Sequence, residues 1–340
     1  MSKTNERILL GHGSGGKITH NLIRGLFMKY FSNPVLNMQT DSAILPAYGE
    51  MLSFTTDAFV VDPVFFPGGD IGKLAVAGTV NDLAVSGATP RFLSCSFIIE
   101  EGLPMADLEK IVISMAEEAE RAGVSIVTGD TKVVNRGKCD KIFITTSGMG
   151  YLPEKYRHIS EGSTISSGDR IIVNGSIGDH GMAVLAARNE MELRAEIHSD
   201  CASLNHMIQE VLEAGINVRF MRDATRGGLA NILAELAEGK AYGVSIEESA
   251  LKISEPVRGL CEILGFDPLY VANEGKVVMV VPEQDAERCL TVLRKNEYGK
   301  EAALIGEITE TYPGKAWLTT GIGGRRIIDM PAGEQLPRIC

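Results

Sequence analysis

The chain has 340 residues, about twice the length of a typical domain, so two domains with separate cores are expected. With 44% hydrophobic and 23% charged residues it is neither disordered nor fibrous in composition, and a net charge of −11 removes the positive field that non-specific nucleic-acid or anionic-membrane binding needs. From the N-terminus, MSKTNERILLGHG lacks the apolar centre of a signal peptide. No charge-free apolar run approaches the roughly 18 residues of a spanning helix, which points to the cytoplasm. The cysteines at 95, 139, 201, 261, 289 and 340 form no CxxC or Cys/His cluster, so neither a zinc site nor a disulfide framework is expected.

Residues 1–37 form a glycine-containing segment and a helix. The β-branched and aromatic run MLSFTTDAFVVDPVFF from Met51 predicts a strand that breaks at Pro63 and at Gly68 and Gly69. Asp70 caps a helix carrying Leu74, Ala77, Val80 and Ala84 at helical spacing, and Gly87 ends it. A strand from Phe92 to Ile99 follows. Pro104 then opens a helix with Leu108, Ile111, Val112, Met115 and Ala119 on one face, closed by Gly123. VSIVTGD and KIFITTSGMG complete a first domain over 38–155. The polar stretch from Leu152 to Gly168 reads as a linker.

A second α+β domain over 165–320 is expected from the strand DRIIVNG, helical runs near 179–190 and 199–214, and DATRGGLANILAELAEG. EGKVVMVVP as a strand, a helix over 283–296 and a strand over 302–309 complete it. Residues 321–340 show no amphipathic stripe and read as a flexible tail. The fold class is therefore α/β (α+β), in two domains.

Five aspartates lie at strand ends or inside apolar segments: Asp41, Asp57, Asp82, Asp130 and Asp223. Buried carboxylates are costly unless paired, hydrogen-bonded or metal-bound, so their recurrence suggests shared cations, with Mg²⁺ the hard ion that sits between carboxylates and phosphates. Each taken alone reads more readily as a helix cap or turn residue. Asp82 is the exception, because mid-helix no cap is available. Asp130 precedes Thr131 and Lys132, which would present a carboxylate, a hydroxyl and an ammonium together at the edge of a site. GHGSGGK over 11–17 fails the Walker spacing. In DATRGGL, Asp223 or Thr225 could cap a helix whose Gly227 and Gly228 allow backbone approach to an anion. Glu274, in ANEGK before an apolar strand, is a candidate base raised by burial. His12 and His180 receive no role. Cys340, at the very end in PRIC, could carry a covalent group.

Together HGSGGK, FTTDAFVVDPVFFPGG, GKLAVAGTVNDLAVSGA, IVTGDTKV, DATRGGL, ANEGK, LIGE and PRIC resemble the HypE family of hydrogenase maturation factors. That family lies in the superfamily of aminoimidazole ribonucleotide synthetase, selenophosphate synthetase and thiamine-monophosphate kinase. The aspartate motifs are superfamily-wide; PRIC points to this member.

The resemblance implies a two-domain aminoimidazole ribonucleotide synthetase-like fold, a homodimer through the N-terminal domain, and ATP with Mg²⁺ as substrate and ion. It implies a dehydration in which a carbamoyl group, placed on Cys340 by the carbamoyltransferase HypF, becomes a thiocyanate. The cyanide is then passed to iron on a HypC–HypD scaffold. Asp41, Asp57, Asp82, Asp130 and Asp223 match metal positions, while Thr56, Asp57, Asn81, Gly129, Asp130, Thr131, Thr225 and Gly227 match nucleotide positions. Cys340, Glu274 and Lys132 would be catalytic. The alternative is a synthetase or kinase of the same superfamily acting on a free small molecule.

Overall fold

A computed structural model describes residues 7–9, 21–34, 36–38, 51–188, 196–330, 336 and 338–340. Asp41, His12 and the GHGSGGK stretch lie outside the described residues. The first half is a four-stranded sheet of β1 (Met51–Phe59), β2 (Thr89–Glu100), β3 (Ser125–Val134) and β4 (Ile142–Leu152), in the order β1-β4-β2-β3. β2 and β3 run parallel and the other neighbours antiparallel. Two helices, α1 (Ile71–Val85) and α2 (Met105–Ala122), follow the expected signals. The Asp70 carboxylate accepts from the Gly72 and Lys73 amides to start α1, and Gly123, left-handed at φ 68°, ends α2.

The two helices bury themselves differently. α2 is amphipathic, whereas α1 is buried all round except at Lys73 and Asp82, so it is a central helix with elements on every side. Gly78 permits its approach to β1, since an added Cβ would sit 3.0 Å from the Phe59 ring and 3.6 Å from Asp57 Oδ2. Among the described residues the far face of the sheet carries no helix, and Leu52, Phe54 and Ile98 stand exposed on it.

The second half is a seven-stranded sheet of β5 (Arg170–Val173), β6 (Phe220–Asp223), β7 (Gly243–Glu247), β8 (Val277–Val281), β9 (Ala303–Thr309), β10 (Ala316–Thr319) and β11 (Arg325–Ile328). Its order is β11-β10-β7-β9-β5-β8-β6. All five residues of β8 are buried, matching their continuous apolar run. The longer helices are α3 (Asp179–Ala187), α4 (Asn205–Glu213), α5 (Gly228–Ala237), α6 (Glu255–Leu264) and α7 (Glu283–Leu293), besides a single turn at His158–Glu161. α6, β7, β10 and β11 were not anticipated from the pattern.

The helical run expected over 199–214 starts only at Asn205. Before it, side chains of the first half satisfy the backbone instead. The Asn81 amide donates to Ala202 O at 3.0 Å and accepts from Leu204 N at 2.8 Å, and Glu118 accepts from Ser203 N at 2.9 Å. The segment is thereby held without helical structure against α1 and α2. The supposed linker is also packed, with Ile159 fully buried.

Beyond 321 the chain is not featureless. β11 forms, and the terminus docks on the first half: Val60 N donates to Cys340 O at 3.1 Å and Asp62 N to Arg338 O at 3.2 Å, an antiparallel pairing. Leu336 and Ile339 are buried in the first core cluster, beside Met182 and Val271 of the second half. Among the described residues no helix is long and apolar enough to cross a membrane.

Candidate active site

Four carboxylates converge where α1, β1, β6 and the loop before β8 meet. Asp57 projects from β1 toward α1, and its Oδ1 accepts from Ala58 N at 2.9 Å. One turn beyond Gly78 on α1, Asp82 accepts from the Thr55 hydroxyl at 2.8 Å. Asp223 ends β6. Burial raises the Asp57 carboxyl, and it raises Asp82, helped by Asp57 nearby. Burial and the Asp82 charge push Asp223 up to about 7.

Glu274 completes the group, and it is the most extreme. It is 3% exposed, and its Oε1 is buried with no hydrogen-bond partner. Burial, then the charges of Asp223, Asp200 and Asp57, hold it well above the usual carboxylate range, so it is a proton acceptor of unusual basicity for its type.

The Glu274 backbone is clamped at both ends. Its amide donates to Asp200 Oδ1 at 3.2 Å, Gly275 N donates to Asp200 Oδ2 at 3.1 Å, and its carbonyl accepts from Asn81 Nδ2 at 3.2 Å. Burial alone would raise Asp200, but Lys276, 3.0 Å away, and the hydrogen bond from the Glu274 amide overcome it and keep the carboxyl low. Gly275 is required here: a Cβ would lie 1.9 Å from Asp200 O.

Pattern reasoning missed several participants. Arg226 is the cation that acts on Asp57, Asp82 and Glu274 alike, whereas Arg222 is exposed and paired with Glu235 at 2.6 Å. Arg226 sits inside DATRGGL, so its signal was present in a motif already singled out. Thr55 was legible too, lying two residues before Asp57 on the same strand face. Asp200 had none, since no periodicity surrounds it.

The other predicted residues are dispersed. Strand alternation puts Thr56 on the open face, opposite Asp57, where its hydroxyl donates to Thr146 O at 3.1 Å. Asp130 and Lys132 are on β3, the edge strand farthest from β1, also on the open face and paired at 3.6 Å. Gly129 and Thr131 face inward there, with Thr131 N donating to Asp130 Oδ1 at 2.8 Å. The side chain of Asn81 is spent on three backbone groups, which makes it a clamp between the halves. Gly227, left-handed at φ 75°, caps α5, with Thr225 just before it. Among the described residues no three side chains close into a metal cage, but the acidic oxygens around Asp57, Asp82 and Asp223 are the donor type Mg²⁺ takes when phosphates supply the rest.

The architecture and this acidic cleft define an AIR synthase related protein: the N-terminal domain model of that family matches residues 39–152 and the C-terminal domain model residues 166–317. Carbamoyl dehydratase HypE of Rhodobacter capsulatus is 51% identical over 342 residues, with both chains fully covered. A crystal structure of the hydrogenase maturation protein HypE in complex with ATP superposes with a TM-score of 0.92 at 46% identity, covering 98% of this chain and 99% of that one. A HypE–HypF complex structure gives 0.78 at 47% identity, covering 91% and 99%. The chain belongs to the HypE carbamoyl dehydratase family.

Proposed function

We propose that this chain is an ATP-dependent carbamoyl dehydratase that works on its own Cys340 in the cytoplasm, after HypF has placed a carbamoyl group there. The thiocarbamate oxygen is a poor leaving group. It attacks the γ-phosphorus of ATP, releasing ADP and giving an imidate phosphate after one N–H proton leaves. Loss of the second N–H proton and of phosphate gives the thiocyanate, so the net change is one water removed and one ATP split to ADP and phosphate. The cyanide then passes to the HypC–HypD scaffold.

Glu274 supports this reading most: a buried, orphaned carboxylate of raised basicity suits removal of a proton from nitrogen inside a closed site. Asp57, Asp82 and Asp223, with Asp41, would hold Mg²⁺, which when bound would neutralise phosphate charge during transfer, while Asp130, on the open face of β3, would not reach this group within one chain. Arg226 and Thr225, with the α5 terminus at Gly227, would face the phosphates. Lys132 would orient the carbamoyl group.

The exposed Leu52, Ile98 and Phe54, the last 66% exposed, support a homodimer packed through the open sheet face. Such packing would let Thr56, Asp130 and Lys132 act from that face. Intact mass measurement after carbamoylation tests the function: the adduct should lose one water only with ATP and never form on Cys340→Ala. An adduct that keeps its water when ATP is hydrolysed would overturn it.

A further inference from the structure

We infer that His180 is the positioning residue that seats the C-terminal tail against the Glu274 loop, through the carbonyl of Ile339. The inference rests on the dehydratase reading for its catalytic consequence, and on geometry for the seat itself.

His180 is fully buried, in the first turn of α3, and its Nε2 lies 2.8 Å from Ile339 O. Its Nδ1 lies 2.8 Å from Ser199 Oγ, which also accepts from Cys201 N at 3.1 Å. The Ser199 hydroxyl therefore donates its proton to Nδ1, and Nε2 carries the hydrogen given to the tail. The Phe66 ring meets the imidazole edge-on at 5.4 Å, which fixes its plane.

The same turn holds the catalytic loop. Gly181 N donates to Ala272 O at 3.0 Å, two residues before Glu274, and Asp200 next to Ser199 grips the Glu274 and Gly275 amides. One imidazole thus ties the residue beside Cys340 to the loop that carries Glu274. At the other end of α3, Arg188 spans Asp62 O and Arg338 O, both at 2.8 Å, and braces the tail against the strand leaving β1.

The test uses the full chain. Cys340 is of intermediate exposure and the other five cysteines are buried, so Ellman's reagent reads the tail. In His180→Ala, labelling should rise and ATP-driven water loss from the carbamoylated chain should slow, each by about five- to tenfold, the worth of one buried hydrogen bond. His180→Gln keeps an N–H donor and should restore both to within about twofold. Labelling of His180→Ala at the unmodified rate overturns the seat; fast labelling with unimpaired dehydration overturns the positioning role. Should His180→Ala not fold, Ser199→Ala makes the same comparison, with changes of about two- to threefold expected and none refuting. If the unmodified carbamoylated chain loses no water with ATP, the dehydratase reading falls, while the labelling rates still judge the seat.

Discussion

Replacing Asn81 by alanine separates a structural clamp from a nucleotide contact. The side chain is 2% exposed and makes three bonds across the junction, to Ala202 O, Leu204 N and Glu274 O at 3.0, 2.8 and 3.2 Å. Each is worth about 1 to 1.5 kcal/mol, and the groups left behind have no water to turn to, so the loss is about 3 to 5 kcal/mol. Alanine returns only about 0.5 kcal/mol through helix propensity, so the clamp dominates. The melting temperature should fall by roughly 4 to 7 °C, with a matching shift in urea midpoint. Dehydration should fall as well, because the Glu274 carbonyl loses its anchor. A melting temperature within about 2 °C of the parent, combined with weakened ATP binding, would refute the clamp and return Asn81 to the nucleotide.

Glu274→Gln should abolish dehydration and also change the pH profile of stability. An acid raised in the folded state above its unfolded value of 4.5 costs stability as pH rises through the folded value, so the variant should gain on the parent from pH 5 to pH 8. Parallel urea midpoints across that range would sink this account. Gly275→Ala should lose at least about 3 kcal/mol, since its Cβ would meet the Asp200 carbonyl at 1.9 Å; near-parent stability in urea would contradict the packing. Lys132→Ala should leave stability within about 0.5 kcal/mol, because the side chain is 65% exposed, while slowing dehydration; a cooperative loss of stability would show that the lysine is structural.

What the sequence disclosed was local. The Asp70 cap, the Pro104 start and Gly123 stop of α2, and the apolar β8 all follow from chemistry within a few residues, and each stands where it was expected. Residues 199–204 went wrong because distant Asn81 and Glu118 take over their backbone groups. The site divides in the same way. Asp57, Asp82, Asp223 and Glu274 were legible as costly carboxylates in apolar surroundings. Arg226 and Asp200 emerged only from packing. Thr56, next to Asp57 in the sequence, stands on the opposite face of β1, because neighbours on a strand point to opposite faces.

The burial of five cysteines bears on how carbamoyl transfer finds the right sulfur. Burial pushes the thiols of Cys139 and Cys261 up to about 11 and that of Cys289 up to about 12, and it raises Cys95 and Cys201 as well. At neutral pH a thiol at 11 is ionised in only about one molecule in ten thousand, and only the thiolate is a competent nucleophile. Competing sulfurs are therefore silenced by the same packing that stabilises the fold. Burial thus disfavours reaction at five of the six cysteines, so a mutation that opened the core around Cys139 or Cys289 should cost fidelity as well as stability.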